Sequence, residues 1–473
     1  MSAKTLFDKI WDRHVIKDLG DGFSLIFVDR HMVNDMAGRG FLTLNKRGLP
    51  VAHPEFTFAA ADHTVATLEA RKASAKPDDN PYAVNLRDNS RQHGFRLFDL
   101  DDPDFGIIHV ISAEQALALP GTTIACGDSH TCTLGALGAI AWGLGQSDIV
   151  HILATQTSVQ RKPLNMRINV TGRLAPDVSA KDLILALAAE LGVAGCVGHA
   201  VEFAGDAIRR MSMDERFTIC NMAVEMGARF GLISPDDVTF DYLRGRPSAP
   251  DADAWDAAVA DWRSLATDAT AAFDAERTLD ASRVEPQVSW GINPGQTIGI
   301  SATIPSLSGQ LTGSALATYE TAVDYSGLVP GAPIAGTPID IVFIGSCNNA
   351  RLSDLRVAAR VVEGRRVASG VRAWVSPGSE RVRREAEAEG LDQIFMSAGF
   401  GWGHSGCSMC AGAGDQMREI GASGQRIAST TNRNFVGRQG PGTRTHLLSP
   451  AMAAAAAIAG RIVDVRSLEA IGG

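Results

Sequence analysis

From about residue 338 onward, short apolar runs alternate with amphipathic stretches, the layout that a βαβ sheet requires. Ile339-Asp340-Ile341-Val342-Phe343-Ile344 reads as a buried strand. After it Leu352, Leu355, Ala358 or Ala359 and Val362 recur at helical spacing, Arg351, Arg356 and Arg360 can face elsewhere, and Gly364 suits the stop. Val371 to Val375 is the next strand. Pro377-Gly378-Ser379 then turns the chain into a charged helix running through Glu389, and Ile394-Phe395-Met396 and Arg426-Ile427-Ala428 supply further strands. Upstream, Ser179 suits the N-cap of a helical run from Lys181 to Leu191, with Asp182 in its first turn. Residues 165–290 read as a middle α/β unit. The polar stretch from Arg244 to Ala254 reads as a surface insertion, and the Pro/Gly/Ser-rich stretch from Gln287 to Gly313 as a linker. No internal repeat is visible.

Composition narrows the class. A chain of 473 residues is too long for one ordinary core, so several domains are expected. Apolar content of 45% and charged content of 21% describe a soluble globular protein. The first residues lack a hydrophobic signal core, and the apolar run Ala451 to Ala459 is too short and small-sided to cross a bilayer, so a cytoplasmic address and no membrane partner are expected. Seven cysteines, an odd number, do not form a secreted disulfide framework, and reduced thiols are expected. With a net charge of −9 and no sustained Lys/Arg block, nucleic acid is not an expected partner, although local arginines can still bind a small anion.

Three groups of residues carry chemistry. Cys347, in Gly345-Ser346-Cys347-Asn348-Asn349, and Cys407 and Cys410, in Gly406-Cys407-Ser408-Met409-Cys410, each follow an apolar, strand-like run. In an open α/β sheet such positions lie in the crevice beyond the carboxyl ends of the strands, so the two segments can converge. Cys407 and Cys410 alone fit a redox dithiol, half a zinc site completed by a residue such as His404, or two ligands of an iron–sulfur cluster. Placing Cys347 at a strand-to-helix turn, where amide donors stabilise thiolates, favours metal binding over inert burial.

The second group is Cys126-Gly127-Asp128-Ser129-His130-Thr131, where a carboxylate and an imidazole two positions apart suit orienting or protonating a bound hydroxyl; a capping Asp and a structural His look the same. Asp62-His63, His109 and Glu202 carry the same two readings. The third is Asn432-Arg433-Asn434-Phe435-Val436-Gly437-Arg438, whose two arginines can present planar forks to carboxylates or pair with surface acids. The glycines between Gly135 and Gly145 match no phosphate loop and suit close packing instead.

Together Asp62-His63, Cys126 to Thr131, Ile344 to Arg351, Gly406 to Cys410 and Ser429 to Gly440 resemble the aconitase superfamily of iron–sulfur hydro-lyases, from about Thr5 to Val465, and within it the branch of isopropylmalate dehydratase large subunits. The resemblance implies an α/β fold of three domains, 1–164, 165–290 and 291–473, around a central cluster cleft. It implies a 4Fe-4S cluster held by Cys347, Cys407 and Cys410, with an open fourth iron that binds the hydroxyl and a carboxylate of a small dicarboxylate, a 2- or 3-alkylmalate. Asp62, His63, His109, Asp128, His130 and Glu202 become the acid/base shell, and Ser129, Asn432, Arg433, Asn434 and Arg438 the substrate-binding set. The proton-abstracting serine of the superfamily sits on a swivelling fourth domain that this chain lacks, so a small subunit supplying it is the expected partner.

The expected reaction is isomerisation of 2- and 3-isopropylmalate in leucine biosynthesis; a paralogue acting on another substituted malate, such as 2-methylmalate, is the alternative. A non-catalytic iron or redox sensor would have lost the arginines or the acid/base residues, and they are present. The chain departs from the family pattern at Thr133-Leu134-Gly135, where a His is usual in place of Leu134, and at Ala37-Gly38-Arg39-Gly40-Phe41, which lacks a glutamine. It departs again at Asn348 and at Ala411-Gly412-Ala413-Gly414, where small residues would loosen the pocket.

Overall fold

The computed structural model describes residues 3–68, 80–410 and 420–470. The chain divides into two compact units, one made of Met1–Thr64, Ser74–Gly172 and Ala194–Asp280, the other of Val65–Ala73, Arg173–Val193 and Ala281–Gly473.

The first unit holds a five-stranded parallel sheet ordered Arg96–Phe98, Thr57–Ala60, Arg30–Asn34, Thr123–Cys126, Ile140–Gly143. Numbered along the chain, its strands lie in the order 3-2-1-4-5. A four-stranded parallel sheet, Phe230–Leu232, His199–Ala204, Leu164–Thr171 and Ala275–Asp280, and a three-stranded antiparallel sheet, Val15–Gly20, Phe23–Phe27 and Thr157–Arg161, complete the unit.

The second unit repeats the five-stranded pattern: Gly401–Trp402, Arg372–Val375, Ile341–Ile344, Arg426–Ser429, Arg444–Leu447, all parallel and again 3-2-1-4-5. The repeat is one of topology, which the sequence does not display. The central strand Ile341–Ile344 is wholly buried because both faces are covered. Val342 and Ile344 join Leu355, Val362, Ala454 and Phe395 on one side, while Ile341 and Phe343 pack with Trp374, Met409 and Ile427 on the other. The Ala-rich run is a short buried helix, Pro450–Ala459, and among the described residues no helix is long and apolar enough to cross a membrane.

Most sequence-predicted elements of this unit appear within a residue or two: the strands Ile341–Ile344, Arg372–Val375 and Arg426–Ser429, and the helices Leu352–Val362, Glu380–Ala388 and Ala180–Leu191. Ile394-Phe395-Met396 is not a strand but part of the helix Leu391–Ala398. Leu391, Phe395 and Ala398 are buried at helical spacing, and Gly390 and Gly399 flank it in the left-handed conformation. The stretch expected as a linker instead forms a hairpin, Gln287–Ser289 with Thr297–Gly299, whose Val288, Trp290 and Ile300 enter the core. The expected insertion near Arg244 leads into the helix Ala252–Ser264, capped by Asp251, with Arg244 over the Trp255 ring at 4.8 Å.

Gly135 bears out the close-packing reading: a Cβ there would lie 1.8 Å from the backbone oxygen of Gly231. Replacing Gly135 by Ala is expected to destabilise the fold by at least about 1–3 kcal/mol, seen as a lower urea midpoint; an unchanged midpoint would contradict this packing.

Two buried histidines make the fold acid-sensitive. His31 is held down to about 3 by burial, and neither ring nitrogen has a hydrogen-bond partner among the described residues. His446 is held down to about 3 by burial and by the neighbouring Arg426 charge. Its Nδ1 donates to the Ser289 carbonyl (2.7 Å) and its Nε2 accepts from Arg426 (2.8 Å), an arrangement only the neutral ring allows. Both folded-state values lie below the ordinary 6.5, so the stability they support is complete above that pH and is lost as pH falls, by up to about 1.4 kcal/mol per unit for each ring. In urea unfolding between pH 7 and pH 5, His31→Leu is expected to show a slope shallower by one proton than the parent; identical slopes would disprove it.

Candidate active site

In both five-stranded sheets the winding changes direction between the first and fourth strands, and loops leaving the carboxyl ends of those two strands diverge to open a crevice. The sequence-predicted residues hang largely from these loops. In the first unit, Asp128 to His130 follow Thr123–Cys126, with Asp62-His63 beyond the strand Thr57–Ala60, and Asp35, which sequence reasoning missed, follows Arg30–Asn34. In the second, Cys347 follows Ile341–Ile344 and Asn432 follows Arg426–Ser429, while Cys407 and Cys410 follow the edge strand Gly401–Trp402.

Asp128 is the hub of the first unit. It caps the 3-10 segment Ser129–Leu137 by accepting from the His130 amide (2.7 Å), accepts from His63 Nε2 (2.9 Å), and lies 3.6 Å from His109 Nε2 and 3.4 Å from His130 Nδ1. Burial alone would raise its pKa, but the three surrounding histidines, His63 through a hydrogen bond, prevail and hold the carboxyl well below the ordinary range. Asp128 is thus an acceptor, and His63 Nε2 carries a hydrogen. The other face of His63 meets fully buried Asp62 at 2.6 Å, and the second Asp62 oxygen accepts from the Ile108 amide at the start of the helix that carries His109.

Asp35 accepts from the His63 and Thr64 amides, fixing that loop, and burial raises its own pKa. Glu225, which sequence reasoning missed, accepts from His130 Nε2 at 2.8 Å; it lies in a short 3-10 turn, Met222–Met226, with no motif to mark it. Glu202 keeps different company. Its carboxylate takes the Ser234 and Thr267 hydroxyls, burial raises its pKa, and it makes no bond to Asp62, His63, Asp128 or His130 among the described residues. The Ser129 side chain, half-buried, has no bond among the described residues. The Cys126 thiol is pushed up to about 12 by burial, which suits an inert core residue.

In the second unit Cys347, Cys407 and Cys410 are buried, and none of the seven cysteines is in a disulfide. The buried Asn432 amide spans two of them, its Nδ2 at 3.4 Å from Cys347 Sγ and its Oδ1 at 3.6 Å from Cys410 Sγ. Both cysteine loops are strained: Ser346 (φ +80°) precedes Cys347 and Ser408 (φ +49°) follows Cys407, the left-handed region that L residues rarely adopt. Surrounding bonds enforce the strain. Thr67 donates from its hydroxyl to Ser408 (2.8 Å) and accepts the His404 amide on its carbonyl, Trp374 donates to Ser408, and Met409 is buried against Phe343 and Trp374. Thr67 and Ser408 carried no recognisable signal in the sequence. His404, the fourth ligand a zinc site would need, has its Nδ1 held by Arg383 at 2.6 Å.

Asn434 uses its amide nitrogen on Ser289 and Gly291, tying the Arg433 loop to the hairpin. Arg433 and Arg438 are half-buried; Arg438 sits over the Phe435 ring and makes no ion pair among the described residues. Of the departures from the family pattern, Leu134 is fully buried in the core and Asn348 is buried beside Cys347. Arg39 is exposed and lines a cavity of about 620 Å3 with Arg47, Gln146 and His151. Ala411 to Gly414 lie outside the described residues. Among the groups able to ligate a metal are Asp62 and His63 in the first unit and Cys407 in the second.

A model of the aconitase family (aconitate hydratase) matches residues 8–460. The large subunit 1 of 3-isopropylmalate dehydratase from Bradyrhizobium diazoefficiens is 53% identical over 468 residues, 99% of this chain and 97% of that one. Among solved structures, the holo-form of aconitase X from Thermococcus kodakaraensis matches 90% of this chain and 87% of its own, at 10% identity and a TM-score of 0.46. With nearly its whole length covered by the family model, the chain belongs to the aconitase family.

Proposed function

We propose that the chain is the large catalytic subunit of a 4Fe-4S hydro-lyase that interconverts 2-isopropylmalate and 3-isopropylmalate by dehydration and rehydration. The observation that carries this reading is the 53% identity to a 3-isopropylmalate dehydratase large subunit across almost the full length of both chains. The donor set fits such a cluster. Three buried cysteines outside any disulfide leave the same sheet, one amide bridges two of them, and the histidine nearest in sequence has its Nδ1 engaged by Arg383. Cys347, Cys407 and Cys410 would hold the cluster, which when bound supplies a Lewis-acidic corner for the leaving hydroxyl.

The chain's own residues do the rest. Arg433 and Arg438 bind the substrate carboxylates, a task that suits planar guanidinium forks. Asp62 lies 2.6 Å from His63 Nδ1 and ionised Asp128 accepts from His63 Nε2, so the His63 ring is held between two carboxylates and, with His109 and His130 around Asp128, forms the proton-donating set for the departing hydroxyl. Glu202, whose pKa burial raises, is the remaining carboxyl of this acid/base set. A small partner subunit supplies the swivelling domain and the serine that removes the carbon-bound proton; the relative's description as a large subunit supports such a partner.

Three α/β domains, 1–164, 165–290 and 291–473, are supported by one parallel sheet within each range, the middle one beginning at Leu164. A cytoplasmic address suits seven cysteines with no disulfide among them. A second reading, a paralogue acting on another substituted malate such as 2-methylmalate, draws on Arg39 in place of an amide.

The reconstituted two-subunit enzyme, given ferrous iron and sulfide without oxygen, is expected to hydrate 2-isopropylmaleate far faster than citraconate; the reverse order would select the paralogue, and inactivity on both would refute the hydro-lyase. Asp128→Asn is expected to lower kcat by about 10²–10⁴-fold with little change in KM. A kcat within threefold of the parent would remove Asp128 from the mechanism.

A further inference from the structure

Lys181 is a charge buried where no acid meets it. It lies in the first turn of the helix Ala180–Leu191 with no solvent exposure, and its ammonium donates to the carbonyls of Thr431 (2.7 Å) and Thr430 (3.2 Å). No carboxylate lies within ion-pair distance of it among the described residues. Its neighbour Asp182 is committed elsewhere, accepting from the backbone and hydroxyl of Ser179 and from the Gln287 amide. A lysine buried without a carboxylate partner is expensive and persists where something nearby needs its charge. Burial pulls this ammonium down to about 7, and the charges that oppose the shift are, in order, Cys410, Cys347, Asp354 and Asp182. Two of these are thiols proposed to hold the cluster. Moreover, the two carbonyls it grips immediately precede Asn432, the residue whose amide reaches both of those sulfurs.

We propose that Lys181 is a positioning residue of the thiol cage and its built-in counter-charge: it fixes the Thr430–Thr431 backbone from which Asn432 spans Cys347 and Cys410, and it offsets the negative charge of the thiolates and of the cluster they hold. The inference rests on the cluster reading of the preceding subsection and adds a residue to it. A buried positive charge favours the more reduced, more negative form of a cluster, so it raises the reduction potential, and hydrogen bonds to the sulfurs act in the same direction.

The test is a titration of the reconstituted protein with dithionite, which gives one electron to each cluster, followed by electron paramagnetic resonance. Lys181→Met removes both the charge and the hydrogen bonds, Lys181→Gln keeps an amide donor without the charge, and Lys181→Arg keeps the charge. Both neutral variants are expected to have a midpoint more negative than the parent, with Lys181→Arg closer to the parent than either. If Lys181→Met does not fold, Lys181→Gln carries the same comparison. Clusters of parental midpoint in the neutral variants would overturn the role of Lys181 while leaving the cluster reading intact. A parent protein that takes up no cluster would overturn the cluster reading itself and this inference with it.

Discussion

Each five-stranded sheet reverses its winding between its first and fourth strands, and that reversal is the constraint on which the site depends. Parallel strands on either side of such a point send their loops apart, leaving a crevice lined by backbone and by whichever side chains the first few loop residues carry. In the second unit those residues include Cys347 and Asn432; in the first they include Asp35, Asp128 and His130. The apolar faces behind the strands, with Val342 and Ile344 on one side of the cysteine-bearing sheet and Phe343 and Trp374 on the other, make the platform stiff enough to hold strained residues at its edge.

Several polar groups in these crevices are committed to one another. Asn432 places one amide against two sulfurs, and Thr67 and Trp374 keep Ser408 in a conformation it would not choose alone. Asp128 gathers three imidazoles and stays ionised despite burial. Both arrangements fix a proton or an electron-rich donor before any ligand arrives, which is what an acid/base and metal-ligating site needs in order to avoid reorganisation during reaction.

The helices and strands around Cys347 were legible in the sequence because their apolar periods are clean and their caps carry Ser379 and Ser179, which the fold uses as caps. The segment around Phe395 misled because three adjacent apolar residues look like a strand; only the longer spacing from Leu391 to Ala398 reveals a helix. The hairpin after Gln287 was masked by its Gly and Pro content, although Val288 and Trp290 end in the core. The common topology of the two large sheets left no trace in the sequence, since strand order is set by long-range pairing. Among the candidate site residues, Asp62, His63, His109, Asp128 and His130 were singled out by residue type and by the family resemblance, and they lie close together around Asp128. Glu225, Thr67 and Lys181 were not found, because an isolated acid, hydroxyl or lysine has no local pattern that distinguishes burial at a site from exposure.

The central claim is that three thiolates hold an iron–sulfur cube with one corner left for substrate. Mössbauer spectroscopy of anaerobically reconstituted protein, enriched with iron isotope in the exchangeable corner, tests it most directly. The account predicts a distinct iron signal that shifts when isopropylmalate is added. A signal indifferent to substrate, a corner iron that will not exchange, or no cube at all would contradict it.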